Sequence, residues 1–320
     1  MSVLVLGSIN MDLVAVAPRF PRPGETLRGH RFFTAPGGKG ANQAVAAARL
    51  QVPTRMIGRV GNDVFGPALR QALAGAGVDV EGVTIDPETS SGTALIVVEE
   101  GGQNAIVVIP GANGRVGATE LTRLEQWLPE ARVLLLQLEV PLEAVMRAAE
   151  QAARAGVTVI LNPAPVTPLP EEIYPWCTWL TPNEVEAEGL VGFSLDDTRA
   201  IEEAARILVG KGCAHVVITL GERGCVYADR HEVRWVSSYR VPVVDTVAAG
   251  DAFNGALAAA LWEGRSVAEA LRWANAAGAL SVTRYGAQPS MPYREELLAF
   301  LAQNPEPDGD PPPLSESRAA

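Results

Sequence analysis

The sequence predicts an α/β fold, doubly wound, with a mostly parallel central sheet flanked by helices and a small β-sheet lid. Three observations predict it. Short apolar runs alternate with helix-period stretches through nearly the whole chain. Most of those runs are apolar on both faces, as strands covered by helices on two sides must be. Two segments, about 12–34 and 92–112, break the alternation and carry strand and turn signals instead.

Val3–Leu6 reads as the first buried strand and leads into Ser8, Asn10 and Asp12. Residues 12–34 then alternate apolar and polar positions, interrupted by Pro18, Pro21, Pro23 and Gly24. Helical period follows over 41–50 and 63–76. Thr93–Glu99, the turn Glu100-Gly101-Gly102-Gln103-Asn104 and Ala105–Ile109 together make a hairpin signal. The two irregular segments are either surface excursions or a lid over a ligand. The lid is preferred, because both leave from and return to the place where polar strand ends gather.

Further along, helices are expected over 118–128, 142–155, 196–211, 251–262, 266–283 and 294–302. The strands between them end in polar residues. Val133–Leu138 stops at Glu139, Val157–Leu161 at Asn162, Trp179–Leu180 at Thr181-Pro182-Asn183, and Val216–Ile218 at Thr219-Leu220-Gly221. Val241–Val244 reads as one more strand. Loops are polar in general, but this repetition in one layer points to a polar-ligand crevice beyond the carboxyl ends of the strands. The folded unit is expected to span 1–302. The acidic tail 303–320, with Pro305, Pro307, Pro311, Pro312 and Pro313, cannot bury an apolar face and is expected to be disordered.

Composition narrows the function. With 48% hydrophobic and 20% charged residues the chain is ordinary globular material. A net charge of −11 repels a phosphate backbone, so no nucleic-acid partner is expected. No apolar run approaches the ~18 residues that cross a bilayer, so no membrane is expected either. The start Met1-Ser2-Val3-Leu4 carries no basic leader, and Cys177, Cys213 and Cys225 form no CxxC pair, which together suggest a reducing cytoplasm. His30, His215 and His231 are too few and too scattered for a histidine metal centre or a Ser-His-Asp hydrolase.

Two small-residue segments carry the chemistry. Gly37-Gly38-Lys39-Gly40 precedes the Ala-rich helix 41–50 and is not a Walker A loop, since Lys39 is followed by Gly40 and the first glycine would fall at Phe33. No GxGxxG follows the first strand, which weakens a dinucleotide reading. The turn serves either close helix packing or close backbone approach to a ligand, with Lys39 and Asn42 as donors to hydroxyls. In Asp245-Thr246-Val247-Ala248-Ala249-Gly250-Asp251, small residues lead into a helix. Free amides and the helix dipole make such a start an anion hole. Asp251 is there either as a favourable first-turn carboxylate or as a base beside a phosphate site.

These two segments resemble the signatures of the ribokinase family of sugar and nucleoside kinases. Asn162-Pro163-Ala164-Pro165, Thr181-Pro182-Asn183-Glu184-Val185-Glu186-Ala187-Glu188 and Thr283-Arg284-Tyr285-Gly286-Ala287-Gln288-Pro289-Ser290 extend the likeness in order from residue 3 to about 302. They are more similar to the family's ribose-phosphorylating members than to its other branches. Ala248 stands where many members have Gly.

The resemblance implies phosphoryl transfer from ATP to the 5-hydroxyl of D-ribose. Asp251 would be the base, and the amides of Ala248, Ala249 and Gly250 would hold the charge of the moving group. Asn10, Asp12, Gly38, Lys39, Asn42 and Glu139 would grip the sugar. Asn183, Thr219, Gly221, Gly224 and Asn275 would line the nucleotide. Glu186 would act on Mg²⁺ through waters, against the alternative of a solvated helix face. K⁺ would sit among Asp245, Val247, Ser281, Arg284, Gly286 and Ser290, mostly on backbone carbonyls. The lid would make a homodimer. The competing readings are a kinase of another sugar or of a nucleoside, and a non-catalytic sugar or nucleotide sensor.

Overall fold

The computed structural model describes residues 1–101 and 103–305. The strands, in chain order, are β1 Ser2–Leu6, β2 Asn10–Ala17, β3 Arg31–Gly37, β4 Thr54–Gly61, β5 Asp79–Asp86, β6 Gly92–Glu99, β7 Asn104–Ile109, β8 Ala131–Leu136, β9 Thr158–Leu161, β10 Trp179–Leu180, β11 His215–Thr219, β12 Cys225–Ala228 and β13 Val233–Val236. The helices are α1 Lys39–Arg49, α2 Phe65–Gly75, α3 Ala118–Trp127, α4 Leu142–Arg154, α5 Glu184–Val191, α6 Thr198–Gly210, α7 Ala249–Trp262, α8 Val267–Ser281 and α9 Arg294–Gln303.

Nine strands form one sheet in the order β13-β12-β11-β10-β9-β8-β1-β4-β5. It is parallel from β10 and β11 across to β5, while β12 and β13 close one edge antiparallel. Alternate residues of each strand enter opposite cores. Val3, Val5, Val133 and Leu135 pack with α1, α7 and α8, whereas Leu4, Leu6, Leu134 and Leu136 pack with α3, α4 and α6. Both faces must be apolar for that, which is why these strands read as unbroken Val/Leu/Ile runs.

The irregular segments form a separate four-stranded sheet, β3-β2-β6-β7. β2 runs antiparallel to β3 and parallel to β6, and β6 and β7 form the expected hairpin. Asn10 and Gly37 face each other at the root of this sheet, so it grows directly from the exit of β1 and the entrance to α1. Gly102 of the expected turn and residues 306–320 of the expected disordered tail lie outside the described residues. Gln303 closes α9, one residue beyond the expected boundary.

Three expectations need correction. Val241–Val244 is not a strand: Pro242 has no amide to give, Val243 is 63% exposed, and Val244 N donates to Val282 O instead of to a ladder. The helix expected at 251 starts at Ala249, which makes Asp251 its third residue. The helix expected at 41 starts at Lys39. β4, β5, β12, β13 and α5 were not expected. β4 hid behind charge: Arg59 lies within 3.0 Å of both Asp86 and Glu120, so the polar member of this strand is neutralised inside the fold.

Candidate active site

β1 lies between β4, which follows it in the chain, and β8, which comes much later. From β1 the chain moves on to β4, whereas from the adjacent β8 it moves the other way to β9, so the connections leave this strand pair in opposite directions and open a crevice at its carboxyl end, the usual ligand position in such sheets. The glycine turn sits in that opening. Gly38 has φ +88°, and a Cβ there would lie 2.8 Å from Asn10 N. A Cβ on Gly40 would lie 2.7 Å from Gly7 C and Ser8 N. The absence of side chains thus lets α1 rest its first turn on the strand exit, with Ala41 N bonded to Ser8 O at 2.9 Å. Here packing and site formation are the same event.

The acidic side of the crevice is built on this contact. Glu139, just past β8, accepts from Ser8 Oγ at 2.5 Å and from Lys39 N at 3.0 Å. Asp12 points from β2 into space that a side chain on Gly37 would fill, since a Cβ there would be 2.4 Å from Asp12 Oδ2. Burial, and then the neighbouring Glu139, push the Asp12 carboxyl up to about 7. Burial alone would lower the Lys39 pKa, but Asp251, Glu139 and Glu186 together outweigh it and raise it. Asn10 Oδ1 accepts from Asn113 Nδ2 at 2.6 Å, and Asn113 is itself fixed by Ile9 N and O.

Asp251 stands opposite, at the start of α7, with only 5% of its surface exposed. Its Oδ2 accepts from Asn42 Nδ2 at 2.9 Å and its Oδ1 from Gln43 Nε2 at 3.1 Å. Burial raises its pKa, and the Lys39 charge and the two amide bonds work against that rise. Asn42 Oδ1 is buried and has no partner among the described residues. The α7 start is unusual: Ala248, its cap, has φ +61°, a left-handed conformation that costs a residue with a Cβ about 1–2 kcal/mol. Ala249 N reaches Thr246 O only at 3.4 Å. Gly250 is exposed, and among the described residues its amide donates to no group. A carboxylate beside amides arranged this way can take a proton from a hydroxyl while the amides receive an anion.

The nucleotide-side residues fall on the neighbouring strand ends. Asn183 is exposed and caps α5: its Oδ1 accepts from Glu186 N, while its own N and Nδ2 donate to the Glu186 carboxylate at 2.9 and 3.0 Å. Glu186 is not on a solvated face. It is 6% exposed, and burial raises its pKa against the opposing Asn183 bond and Lys39 charge. Thr219 N donates to Pro182 O at 2.9 Å, which brings Asn183 beside Thr219. Gly221 and Gly224 adopt φ +59° and +89°, and a Cβ on Gly224 would be 2.0 Å from Val236 O. Asn275 of α8 is buried and donates to Cys225 Sγ at 3.6 Å, under this turn.

At the far side of α7, the Asp245 carboxylate accepts from Val247 N at 3.0 Å and from Gly286 N at 2.9 Å, tying two loops together. Ser281 Oγ and Ser290 Oγ each turn back on a local carbonyl at 2.8 Å, and Arg284 forks onto Glu296. The Arg284 side chain is therefore committed to Glu296, while the two serine hydroxyls have used only their donor.

Sequence reading passed over several residues that hold the others in place: Asn113, Gln137, Gln43 and Asn254. The usable signal was a lone amide inside an apolar run. Gln137 interrupts Val133–Leu138, and Asn254 lies in a helix that is buried all round.

The model of the pfkB family carbohydrate kinases matches residues 1–294. The chain is 42% identical over 300 residues to the ribokinase of Haemophilus influenzae, covering 94% of this chain and 98% of that protein. It is 38% identical over 305 residues to the deoxyribokinase of Salmonella typhi, covering 95% of this chain and all of that protein. The structure of Arabidopsis thaliana ribokinase complexed with ribose and ATP superposes with a TM-score of 0.88 at 34% identity, covering 94% of this chain and 98% of that one.

Proposed function

Because this chain belongs to the pfkB family of carbohydrate kinases, we propose that it transfers the γ-phosphoryl group of ATP to the 5-hydroxyl of D-ribose, giving ribose 5-phosphate and ADP. The observation that carries this reading is the buried Asp251 carboxylate, held by Asn42 and Gln43 next to the open amide of Gly250. Asp251 takes the proton as the hydroxyl oxygen attacks. The amides of Ala248, Ala249 and Gly250 receive the charge that spreads over the phosphoryl oxygens, commonly the larger electrostatic effect.

Asn10, Asp12, the Gly38 backbone, Lys39, Asn42 and Glu139 bind the remaining hydroxyls. The unpartnered Asn42 Oδ1 supports this, since a buried acceptor left without a donor costs about 1–3 kcal/mol until a ligand hydroxyl supplies one. ATP lies along Asn183, Thr219, Gly221, Gly224 and Asn275. Among the described residues no group of three or more His, Cys, Asp or Glu could cage a metal. A single buried carboxylate, Glu186, suits Mg²⁺, which keeps several waters and takes its other ligands from phosphates. When bound, Mg²⁺ neutralises phosphate charge. K⁺ is assigned to the Asp245–Gly286 loop pair with Val247, Ser281, Arg284 and Ser290, mostly on backbone carbonyls beside the Asp245 carboxylate.

The lid strands expose Phe32 at 67%, Val107 at 61% and Ile106 at 52%, an apolar surface that supports a homodimer formed through the lid. Cys177, Cys213 and Cys225 are all buried free thiols, in keeping with a reducing cytoplasm as the site of action. Among the described residues no helix is long and apolar enough to cross a membrane.

A second reading, 2-deoxy-D-ribose as the acceptor, is favoured by the 38% identity to a deoxyribokinase. One experiment separates them: ADP release from ATP with ribose, 2-deoxyribose, fructose or adenosine, with and without K⁺. Ribose is expected to give the highest kcat/KM. Preference for another acceptor would replace the ribose assignment, and no acceptor-dependent release would remove the kinase reading.

A further inference from the structure

Beneath the crevice a chain of buried amides runs from one sheet strand to the start of α7. Gln137 Nε2 donates to Gln43 Oε1 at 2.6 Å. Gln43 Nε2 then donates to Asp251 Oδ1 and to Asn162 Oδ1, both at 3.1 Å. Asn162 Nδ2 donates to Thr181 O at 3.1 Å, Thr181 Oγ1 to Asn254 Oδ1 at 2.6 Å, and Asn254 Nδ2 to Gly250 O at 2.8 Å. Gln43 and Gln137 are fully buried, and Asn254 is 1% exposed. Gln43 and Gln137 have no exposed surface, yet the two branches that leave Gln43 end on Asp251 and on the peptide of Gly250.

We propose that Gln43 is a positioning residue, oriented by Gln137, that holds Asp251 as an ionised acceptor aimed at the sugar hydroxyl. A primary amide has two nearly equivalent orientations, and only one is productive here. Gln137 offers its Nε2 to Gln43, its own Oε1 having no partner among the described residues, and in this arrangement Gln43 presents its oxygen to Gln137 and its NH₂ to Asp251 and Asn162. In the reversed orientation Gln43 Oε1 would face the Asp251 carboxylate, acceptor against acceptor, and the base would be pushed toward its protonated form. Gly255 keeps the two helices close enough for this contact, since a Cβ there would lie 2.4 Å from Ala46 Cβ and 2.8 Å from Gln43 O.

The proposal rests on Asp251 being the base, and the test separates the two. Gln43→Met keeps the length and removes the donor. Its kcat is expected to fall about 10–100-fold, with the KM for ribose and for ATP changed less than about threefold. The acidic limb of its kcat profile is expected to move to higher pH, which a merely structural side chain would not do. In an Asp251→Asn background, Gln43→Met is expected to cost little more, because the two act as one unit. If Gln43→Met does not fold, Gln137→Met leaves Gln43 in place but free to reverse, and a smaller fall with the same alkaline shift is expected. A folded variant at either position with kcat within about twofold and an unmoved limb would overturn the proposal. Retained turnover in Asp251→Asn alone would instead overturn the base assignment.

Discussion

Asn42 donates to Asp251 at 2.9 Å and leaves its own Oδ1 buried without a partner among the described residues. One amide is thus held by the proton acceptor and turns its free acceptor atom outward from that bond. In the proposed mechanism this links catalysis to recognition, because the group assigned to read a sugar hydroxyl is oriented by the group assigned to activate another. Asn42→Ala is expected to raise the ribose KM about tenfold, the ~1.4 kcal/mol of a lost hydrogen bond, and to shift the acidic limb of kcat upward as Asp251 loses a donor. Steady-state kinetics across pH checks both. Asp251→Asn is expected to keep ribose binding by calorimetry and lose about a thousandfold in kcat.

Asp12 yields the clearest pH dependence. Its carboxyl is pushed up to about 7 by burial and by Glu139, against an ordinary value of 3.8. The native state therefore holds a proton that the unfolded chain has released between those two values. Stability from this group is present below the lower value and lost as pH rises through about 7. Asp12→Asn removes the charge without changing the shape. Its melting temperature is expected to exceed the parent's at pH 8, by about 2–4 °C per kcal/mol relieved, and to match it at pH 4. Ribose binding has the opposite requirement, since the ionised form is the better acceptor. The parent's kcat/KM for ribose is expected to rise through pH 7, and that limb is expected to vanish in Asp12→Asn.

How far the sequence reaches is visible in these same residues. Unbroken runs such as Val133–Leu136 announce a strand buried on both faces, and small residues before Asp251 announce an open helix start. β4 was illegible because Arg59 finds Asp86 and Glu120 only after folding. Val241–Val244 looks like a strand because composition does not say that the sheet already ended at β13. Asp251, Asn42 and Glu139 could be singled out because each follows a recognisable turn or strand end. Gln43, Gln137 and Asn254 could not be assigned, because their meaning lies in which amide faces which across long separations in the chain.

Glu186 presents a different balance. Both its carboxylate oxygens accept bonds from Asn183, so it is a helix-capping group as well as the Mg²⁺ partner proposed above. Glu186→Gln keeps the size and one acceptor but loses the charge. The Mg²⁺ concentration for half-maximal activity is expected to rise about tenfold, with a loss in stability limited to that of a weakened cap, about 0.5–2 kcal/mol. A Mg²⁺ titration of initial rates read beside a thermal melt checks this. An unchanged titration with a lowered melt would leave Glu186 with the cap alone.

Ala248 holds φ +61° at the cap of α7, where glycine would sit without strain. The left-handed conformation costs alanine about 1–2 kcal/mol, while glycine costs about 0.4–1 kcal/mol through the greater freedom of the unfolded chain. The difference favours glycine, so Ala248→Gly is expected to raise the melting temperature slightly or leave it unchanged. Its effect on turnover depends on what alanine does there. The Cβ restricts the peptide that leads to the Ala249 and Gly250 amides, and amides already fixed in place need no reorganisation as charge develops. Ala248→Gly is therefore expected to lower kcat a few-fold without lowering stability, measured as turnover against thermal unfolding in the same buffer. A lower melting temperature would mean that the surrounding loop, pinned by Asp245 to Val247 and Gly286, already prepays the strain.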